Sequence, residues 1–251
     1  MNIAIKGIDI NYEITGSGED VLFLHGWGAS LESFAAIIKH LSPRFRCIAL
    51  DMPGCGKTSL PSEPLDIDAY CCIIKQFTEK LSITPKIVIG HSNGARVALH
   101  MCADGLIAPD KLVLFGAAGI KGKKTFRQKM RQLTFKTAKR ILTLPVIKNH
   151  TQKTLDSLRA YYGSADYNSA PPVMRSTLVK LINSDVTAKL NKIAASTLLI
   201  WGENDTATPL YMAKIMEKSI PDCGLCTLDD CDHWCFVQRP AQVNSILSNF
   251  L

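Results

Sequence analysis

Short hydrophobic segments of two kinds alternate along the chain. One kind has the length and pattern of β-strands, and eight such runs occur: Ile3–Ile5, Ile8–Thr15, Val21–Leu24, Cys47–Leu50, Lys86–Ile89, Lys111–Phe115, Thr197–Trp201 and Leu225–Leu228. In the other kind, apolar residues recur at steps of three and four, as on one face of a helix: 30–41, 66–81, 93–104 and 240–251. Strands that alternate with helices predict an α/β fold with a mostly parallel, doubly wound sheet of about eight strands.

The strand pattern is interrupted between residues 119 and 189. This stretch is helical in pattern, rich in basic residues and broken by the pair Pro171-Pro172. We therefore interpret residues 1–118 and 190–251 as one α/β core, and residues 119–189 as a helical cap inserted over it.

The positive charge of the chain is concentrated in the inserted segment. The formal net charge at pH 7 is +7, and residues 121–140 contain nine Lys or Arg and no acidic residue, so the remainder carries −2. This distribution excludes a uniformly basic nucleic-acid-binding surface, and we expect no nucleic-acid partner. A solvated face of a cap helix explains the basic run best, and attraction to acidic substrates or to an anionic membrane surface is the alternative.

The distribution of the cysteines and the length of the apolar runs bear on the cellular compartment in which we expect the protein. Nine cysteines follow no regular spacing, and several lie in apolar patterns where a thiol packs as a small hydrophobic group. The first residues lack the features of a signal peptide, and no apolar run approaches the roughly eighteen residues of a membrane span. We expect a cytoplasmic protein without integral membrane contact. The sequence does not indicate an oligomeric state.

Four of the cysteines lie close together near the C-terminus and raise the question of zinc. Cys223, Cys226, Cys231 and Cys235 follow the spacing C-x2-C-x4-C-x3-C. Cys226 falls within a strand pattern, whereas the others flank a loop that also carries His233. Packed thiols explain this spacing better than a metal site does, and we expect neither a metal nor an organic cofactor.

A glycine-rich motif, Gly90-His91-Ser92-Asn93-Gly94, separates a buried strand pattern from a helical one. This is G-x-S-x-G in the strand–turn–helix context that presents a nucleophilic serine. Both flanking positions are glycine because so tight a turn leaves little room for side chains. The hydroxyl then projects at the carboxyl end of the sheet, where open α/β sheets place their sites. We predict that Ser92 is a catalytic nucleophile.

Candidate partners for Ser92 lie after two later strand patterns. A serine hydroxyl requires a histidine to take its proton and a carboxylate to orient that histidine. Of the six histidines, His233 alone follows a late strand pattern. Asp205, in the loop after the strand TLLIW, is the preferred acid. Four other acidic residues of these two loops are alternatives: Glu203, Asp229, Asp230 and Asp232.

The segment LFLHGWG at residues 22–28 is an apolar strand that runs into a glycine-rich turn. Such a turn can direct a backbone N–H towards the serine, and the residue after the serine offers a second N–H. We predict an oxyanion hole formed by the N–H groups of Trp27 and Asn93. Residues of this turn, of the histidine loop and of the cap are candidates for lining the substrate pocket: His25, Gly26, Trp234, Tyr161 and Arg175.

In the order in which they occur, these segments resemble the α/β-hydrolase superfamily. The matching pieces are LHGWG, DMPGCGKTS, IGHSNGA, WGENDTATP, and CDHWCFVQRP with the helix that follows. The resemblance covers almost all of the chain. It implies Ser92 as nucleophile, Asp205 as acid and His233 as base, with the insertion where this family carries its cap. The implied reaction is two-step acyl transfer without a cofactor, in which a small acyl substrate such as a carboxylic ester is hydrolysed.

Two other functions compete with ester hydrolysis. The pair His233-Trp234 resembles that of hydrolases that cleave carbon–carbon bonds in ring-fission products. The sequence around the nucleophile of those hydrolases usually differs from the GHSNGAR found here. A protein of this fold can also bind a ligand without turnover, since a fold does not determine a function.

The stretch IALDMPGCGKTS at residues 48–59 looks at first sight like a phosphate-binding loop. That loop requires G-x-x-x-x-G-K-[ST], and Asp51 occupies the position of its first glycine, where it would present a negative charge to a phosphate. Pro61 also opposes the helix that should follow Thr58. The stretch therefore does not predict nucleotide binding.

Overall fold

Each predicted hydrophobic run becomes a strand in the described part of the chain. The computed structural model describes residues 1–122, 130, 134, 137, 154 and 164–251. The strands in these residues are β1 (Asn2–Ile5), β2 (Ile8–Thr15), β3 (Glu19–Leu24), β4 (Phe45–Leu50), β5 (Ile87–His91), β6 (Lys111–Phe115), β7 (Ser196–Gly202) and β8 (Cys223–Leu228). All eight predicted strands are confirmed, with ends that differ by up to a few residues.

The eight strands form one sheet in the order β1-β2-β4-β3-β5-β6-β7-β8. β2 pairs antiparallel with both β1 and β4, and all other neighbours run parallel, so the mostly parallel sheet is confirmed. β3 has β4 on one side and β5 on the other, with Leu24 opposite Gly90. The loops that leave β3 and β5 therefore meet at the point where the strand order reverses, which is where such sheets bind ligands.

Helices of the described residues cover both faces of this sheet. They are α1 (Ala35–Leu41), α2 (Ile67–Lys80), α3 (Ser92–Ala103), α4 (Ala165–Ser169), α5 (Pro172–Leu181), α6 (Leu210–Ser219), α7 (Cys235–Gln238) and α8 (Pro240–Phe250), with 3-10 turns at Leu31–Phe34 and Thr187–Lys192. None of the helices in the described ranges is long and apolar enough to cross a membrane.

Two apolar clusters form the core, one on each side of the sheet. Alternate residues of a strand point to opposite faces. In β3, Leu22 and Leu24 join the cluster that contains α2, α3 and α6, whereas Val21 and Phe23 join the cluster that contains α1 and α8. From Asn93 to Ala103, every residue of α3 is buried, so α3 is the most enclosed of the described helices.

Helix α5 of the predicted cap contacts the loop that follows β4. Helices α4 and α5 come between β6 and β7 in sequence, and the amide of Leu65 donates a hydrogen bond of 3.0 Å to the hydroxyl of Thr177 in α5. A side chain on Gly54 would meet the thioether of Met174, also in α5. Tyr161 and most of the basic run at 121–140 lie outside the described residues. The boundaries of the cap at 119 and 189 remain a prediction.

Candidate active site

The turn at residues 90–94, called the elbow below, has the backbone geometry that its G-x-S-x-G motif predicts. β5 ends at His91 and α3 begins at Ser92, whose φ of +50° is rare for a residue with a side chain. A methyl group on Gly90 would lie 2.7 Å from Cα of Ala95, and one on Gly94 would lie 1.9 Å from the carbonyl oxygen of Leu24. The strand–turn–helix context is thereby confirmed. Gly90 leaves room for the first turn of α3 beside β5, and Gly94 lets α3 pack directly against the end of β3.

The variant Gly94→Ala is expected to lose about 3 kcal/mol or more of unfolding free energy, because its methyl group would overlap backbone that cannot move aside. Urea unfolding monitored by tryptophan fluorescence measures this loss. The control is Gly224→Ala in β8, where an added methyl group meets no atom within 4 Å. Equal stability of Gly94→Ala and wild type would contradict the packing described for the elbow.

The structure brings Asp205 and His233 together. The Nδ1 atom of His233 lies 2.7 Å from Oδ2 of Asp205, whose side chain is almost completely buried. The other carboxylate oxygen, Oδ1, accepts hydrogen bonds of 2.8 Å from the amides of Ala207 and Thr208. None of the four alternative acidic residues contacts His233 through a hydrogen bond or an ion pair in the described part of the chain. The geometry thus favours Asp205 as the orienting carboxylate.

Thr208 is a member of this cluster that the sequence reasoning missed. Its hydroxyl lies 2.8 Å from Oδ2 of Asp205, 3.0 Å from the carbonyl oxygen of Gly116 and 3.3 Å from Nδ1 of His233. An aspartate that accepts from the amides two and three residues later is an Asx-type turn, so the spacing in DTAT carries a usable local signal. Thr208 therefore closes the carboxylate off from the surrounding core.

The charge state of Asp205 follows from these contacts. Burial alone raises the pKa of its carboxyl, but the hydrogen bonds from His233, from the Thr208 amide and from the Thr208 hydroxyl outweigh burial, so the pKa lies below the ordinary value of 3.8. At neutral pH the group is a carboxylate. It holds Nδ1–H of His233 as the donor, which leaves Nε2 free to accept a proton.

His91, which precedes the serine, contacts the loop that carries His233. Its Nε2–H donates to the carbonyl of His233 at 3.1 Å, and its ring lies 4.7 Å from the His233 ring and 4.5 Å from the Trp234 ring. Burial, followed by the neighbouring His233, lowers the pKa of His91 to about 3, so it stays neutral. The predicted pocket residue Trp234 is half-buried and packs on this imidazole.

The loop after β3 lies beside the serine. A methyl group on Gly26 would lie 3.2 Å from Cβ of Ser92 and 2.7 Å from Nδ1 of His91. Trp27 is the next residue, and the first N–H groups of a helix such as α3 have no partner within the helix. The assignment of the Trp27 and Asn93 N–H groups as oxyanion donors stays a prediction that this arrangement permits.

His25, a candidate for lining the pocket, has its ring in the interior of the protein. Its side chain is completely buried, its Nδ1–H donates to the carbonyl of Gly26 at 2.7 Å, and its Nε2 accepts from the amide of Met52 at 2.8 Å. Burial lowers its pKa, in keeping with a neutral ring. His25 instead joins the loop after β3 to the loop after β4.

Asp51 organises the loop that looks like a phosphate-binding loop. Its Oδ1 accepts from the amide of Leu31 at 2.8 Å, and its Oδ2 accepts from the amide of Lys57 and the side chain of Asn11, both at 2.8 Å. The hydroxyl of Thr58 donates to the Asp51 carbonyl. Residues 59–66 form no helix, and the loop therefore differs from a nucleotide site in both contacts and context.

Two further candidates for lining the pocket, Arg175 and Tyr161, belong to the predicted cap. The guanidinium of Arg175 donates to the carbonyls of Tyr167 and Asn168, at 3.1 and 3.0 Å, so it joins α5 to α4. The pocket residue Tyr161 lies outside the described residues. Nothing in the described contacts directs Arg175 towards Ser92.

The cysteine-rich segment holds packed thiols. Cys231 and Cys235 are buried, and burial raises the pKa of Cys235 to about 12, so this thiol is protonated at neutral pH. Burial also raises the pKa of Cys223, to about 12. Across residues 1–122 and 164–251, no three histidine, cysteine, aspartate or glutamate side chains are arranged to hold a metal ion.

Three buried histidines are expected to weaken folding in mild acid. Burial lowers the pKa of His25, His91 and His100 below the ordinary 6.5, so the folded chain keeps them neutral, whereas the unfolded chain protonates them below about pH 6.5. The unfolded state then binds more protons, and the free energy of unfolding falls as pH falls, by up to about 1.4 kcal/mol per pH unit for each histidine.

Urea unfolding at pH 7.5 and 5.5 measures this dependence. The variant His100→Leu removes one titrating group whose Nε2 has no hydrogen-bond partner in the described residues, and its stability should fall less steeply with pH. A wild-type protein that is as stable at pH 5.5 as at pH 7.5 would contradict the prediction.

Comparison with known proteins places the chain among enzymes of one fold. A sequence profile of a family described as alpha/beta hydrolase fold matches residues 21–240. A relative from Nitrosomonas europaea, named pimeloyl-(acyl-carrier protein) methyl ester esterase, is 26% identical over 249 residues, which span 93% of this chain and 96% of that protein. A relative from Comamonas testosteroni, named 2-hydroxy-6-oxo-6-phenylhexa-2,4-dienoate hydrolase, is 24% identical over 264 residues, spanning 96% of this chain and 91% of that protein.

Solved structures share the architecture. An esterase from Exiguobacterium antarcticum matches with a TM-score of 0.76 at 22% identity, over 98% of this chain and 97% of that chain. A meta-cleavage product hydrolase from Pseudomonas fluorescens matches with a TM-score of 0.74 at 21% identity, over 100% of this chain and 96% of that chain. At such identities the likeness shows the fold alone.

Proposed function

Because this chain belongs to the alpha/beta hydrolase fold family, we propose that it is a serine hydrolase that cleaves a carboxylic ester or a related acyl compound. The observation that carries the proposal is the 2.7 Å contact between His233 and Asp205, at the edge of the sheet where Ser92 begins α3. A hydroxyl, an imidazole and a carboxylate thus lie on loops that follow β5, β8 and β7. This is the arrangement that nucleophilic acyl transfer requires.

The proposed reaction has two steps. Oγ of Ser92 attacks the carbonyl carbon of the substrate while Nε2 of His233 takes the hydroxyl proton. The oxyanion of the tetrahedral intermediate accepts hydrogen bonds from the N–H groups of Trp27 and Asn93. His233 gives its proton to the leaving alcohol, which departs and leaves an acyl-serine. A water molecule, deprotonated by the same imidazole, then attacks the acyl carbon. His233 returns this proton to Oγ of Ser92 as the acyl–oxygen bond breaks and the acid leaves.

Relatives support an ester as the substrate class without identifying it. The Nitrosomonas europaea protein is named as a methyl ester esterase, and the Exiguobacterium antarcticum structure is that of an esterase. At 26% and 22% identity, they leave the acyl and alcohol groups of the present substrate undefined. The expected partner is therefore a small acyl compound.

Carbon–carbon bond hydrolysis is the second candidate function. The Comamonas testosteroni relative is named as the hydrolase of a dienoate, and the Pseudomonas fluorescens structure is that of a meta-cleavage product hydrolase. In this chain Trp234 directly follows the proposed base, which gives the His-Trp pair that resembles these hydrolases in sequence, and its ring packs on His91. The same triad would serve either reaction.

A panel of substrates tests whether ester hydrolysis ranks above carbon–carbon bond hydrolysis. The wild-type protein is assayed with p-nitrophenyl esters of increasing acyl length and, in parallel, with a ring-fission diketone whose ultraviolet absorbance disappears on cleavage. We expect turnover of at least one ester with a kcat/KM more than tenfold above that for the diketone. Fast cleavage of the diketone with inert esters would reverse the order of the two candidates.

A further inference from the structure

Arg96 is a buried cation on the helix that begins with the nucleophile. Its side chain is 8% exposed, and the distance from its Nη1 to Oδ1 of Asn93 is 3.4 Å. Its Nε has no hydrogen-bond partner in the described residues. Burial lowers the pKa of the guanidinium to about 10, which still leaves it charged at neutral pH.

The guanidinium is placed towards the catalytic end of α3. Arg96 follows Ser92 by four residues in α3, which is about one turn of the helix. Long side chains of a helix lean towards its N-terminus and cover the preceding turn, and the contact with Asn93 agrees with this direction. A methyl group on Gly119, where the chain leaves β6 for the cap, would lie 3.9 Å from Cα of Arg96. Arg96 therefore lies where the core meets the cap.

No carboxylate of the described residues neutralises this charge. His100, one turn further along α3, is buried, and burial lowers its pKa, so its ring is neutral. Its Nε2 also lacks a hydrogen-bond partner among the described residues. Asp104, one turn further, forms an ion pair of 2.8 Å with Lys189. A buried arginine is normally paired, because an unpaired charge in the interior is strongly unfavourable. Arg96 has the properties of a cation whose anionic partner arrives with a ligand.

We propose that Arg96 binds a carboxylate of the substrate, so that the natural substrate is an acyl compound that carries an anionic group. This inference rests on the proposed acyl-hydrolase function and defines its substrate class. The planar guanidinium binds a carboxylate through parallel hydrogen bonds, and Arg96 has an N–H on Nε that no group of the described residues accepts. The net charge of +7 would also attract anionic substrates over longer distances.

Two pairs of esters test the proposal. p-Nitrophenyl hydrogen glutarate is compared with p-nitrophenyl valerate, and 3-carboxyphenyl butyrate with phenyl butyrate, so that the carboxylate lies on the acyl or on the alcohol side. The readout is the kcat/KM of the anionic ester divided by that of its neutral partner. In at least one pair, this ratio is expected to fall by 10- to 100-fold in Arg96→Met and by less in Arg96→Lys.

The control is Arg44→Met, which removes the same charge at the opposite end of the sheet, before β4, and should leave both ratios as in wild type. A purely structural arginine would give a different result: Arg96→Met would lower the urea midpoint, and the anionic and neutral esters would lose activity equally. That outcome overturns the proposal. So does a wild-type protein whose ratios equal those of Arg96→Met.

Ligand binding without turnover separates this inference from the proposed function. Glutarate at tens of millimolar, against sodium chloride of the same ionic strength, is expected to raise the Tm of wild type by a few degrees and that of Arg96→Met by much less. Equal shifts in the two proteins count against the carboxylate site. Inert esters together with an Arg96-dependent shift would instead contradict only the hydrolase function.

Discussion

Replacing Ser92 by alanine is expected to lower kcat for the best ester of the panel by a factor of about 10⁵ to 10⁶, leaving only the residual rate that substrate binding and the oxyanion donors support. The reason is that the reaction would lose the atom that forms the acyl intermediate, while His233 and Asp205 would remain in place. The substitution removes one oxygen from a half-buried position and adds no atom, so the fold should persist. Steady-state kinetics with purified protein measures the loss.

A fluorophosphonate probe gives the same test without a substrate. One molecule of probe should bind covalently to each molecule of wild-type protein, as measured by intact-protein mass spectrometry. The variant Ser92→Ala should not react. The matched control is Ser17→Ala, at an exposed serine in the turn before β3, which should react as wild type does. A Ser92→Ala protein that is labelled equally would reject the serine mechanism. An unlabelled wild type would favour a protein that binds a ligand without turnover.

The variant Asp205→Asn is expected to lower kcat about 10⁴-fold with the fold intact. Oδ1 accepts from the amides of Ala207 and Thr208, so the carbonyl oxygen of an asparagine would take this position. Its NH₂ group would then face Nδ1 of His233 and donate to it. The imidazole would be held with its proton on Nε2, which is the atom that must accept the serine proton.

Kinetics and NMR together check this account. We expect the ¹⁵N chemical shifts of the His233 ring to show protonated Nδ1 in wild type and protonated Nε2 in Asp205→Asn at pH 8. The control is Asp229→Asn, in the same loop as the histidine, which should keep wild-type kcat. If Asp229→Asn loses activity and Asp205→Asn does not, the acid has been assigned to the wrong residue.

The elbow and the fold could be predicted because their signals are local. Ser92 stands between two glycines whose added methyl groups would overlap nearby backbone, and that requirement is visible in five consecutive letters. The strands could likewise be found because buried parallel strands appear as short apolar runs. Asp205 and His233 followed from their positions after such runs.

The supporting contacts of the site could not be predicted because they depend on the tertiary arrangement. His91 contacts the carbonyl of a residue 142 positions later in the chain, and no local sequence pattern indicates a contact between residues so far apart in sequence. The orientation of His25 could not be predicted for a related reason: a histidine beside a glycine-rich turn looks the same in sequence whether its ring faces a ligand or the core. Arg96 lies on an apolar helical pattern, and its unpaired charge becomes apparent only once the neighbours of α3 are known.

The loop around Asp51 has a consequence for the catalytic cycle. In a phosphate-binding loop the backbone amides receive an anion that comes and goes with the nucleotide. Here the chain supplies its own anion, since the Asp51 carboxylate occupies the amides of Leu31 and Lys57 permanently. Through His25 and Met52, that internally satisfied loop is tied to the turn beside Ser92. Contacts within the chain therefore hold together the loops that flank the proposed oxyanion site, so substrate binding need not supply the energy to assemble them.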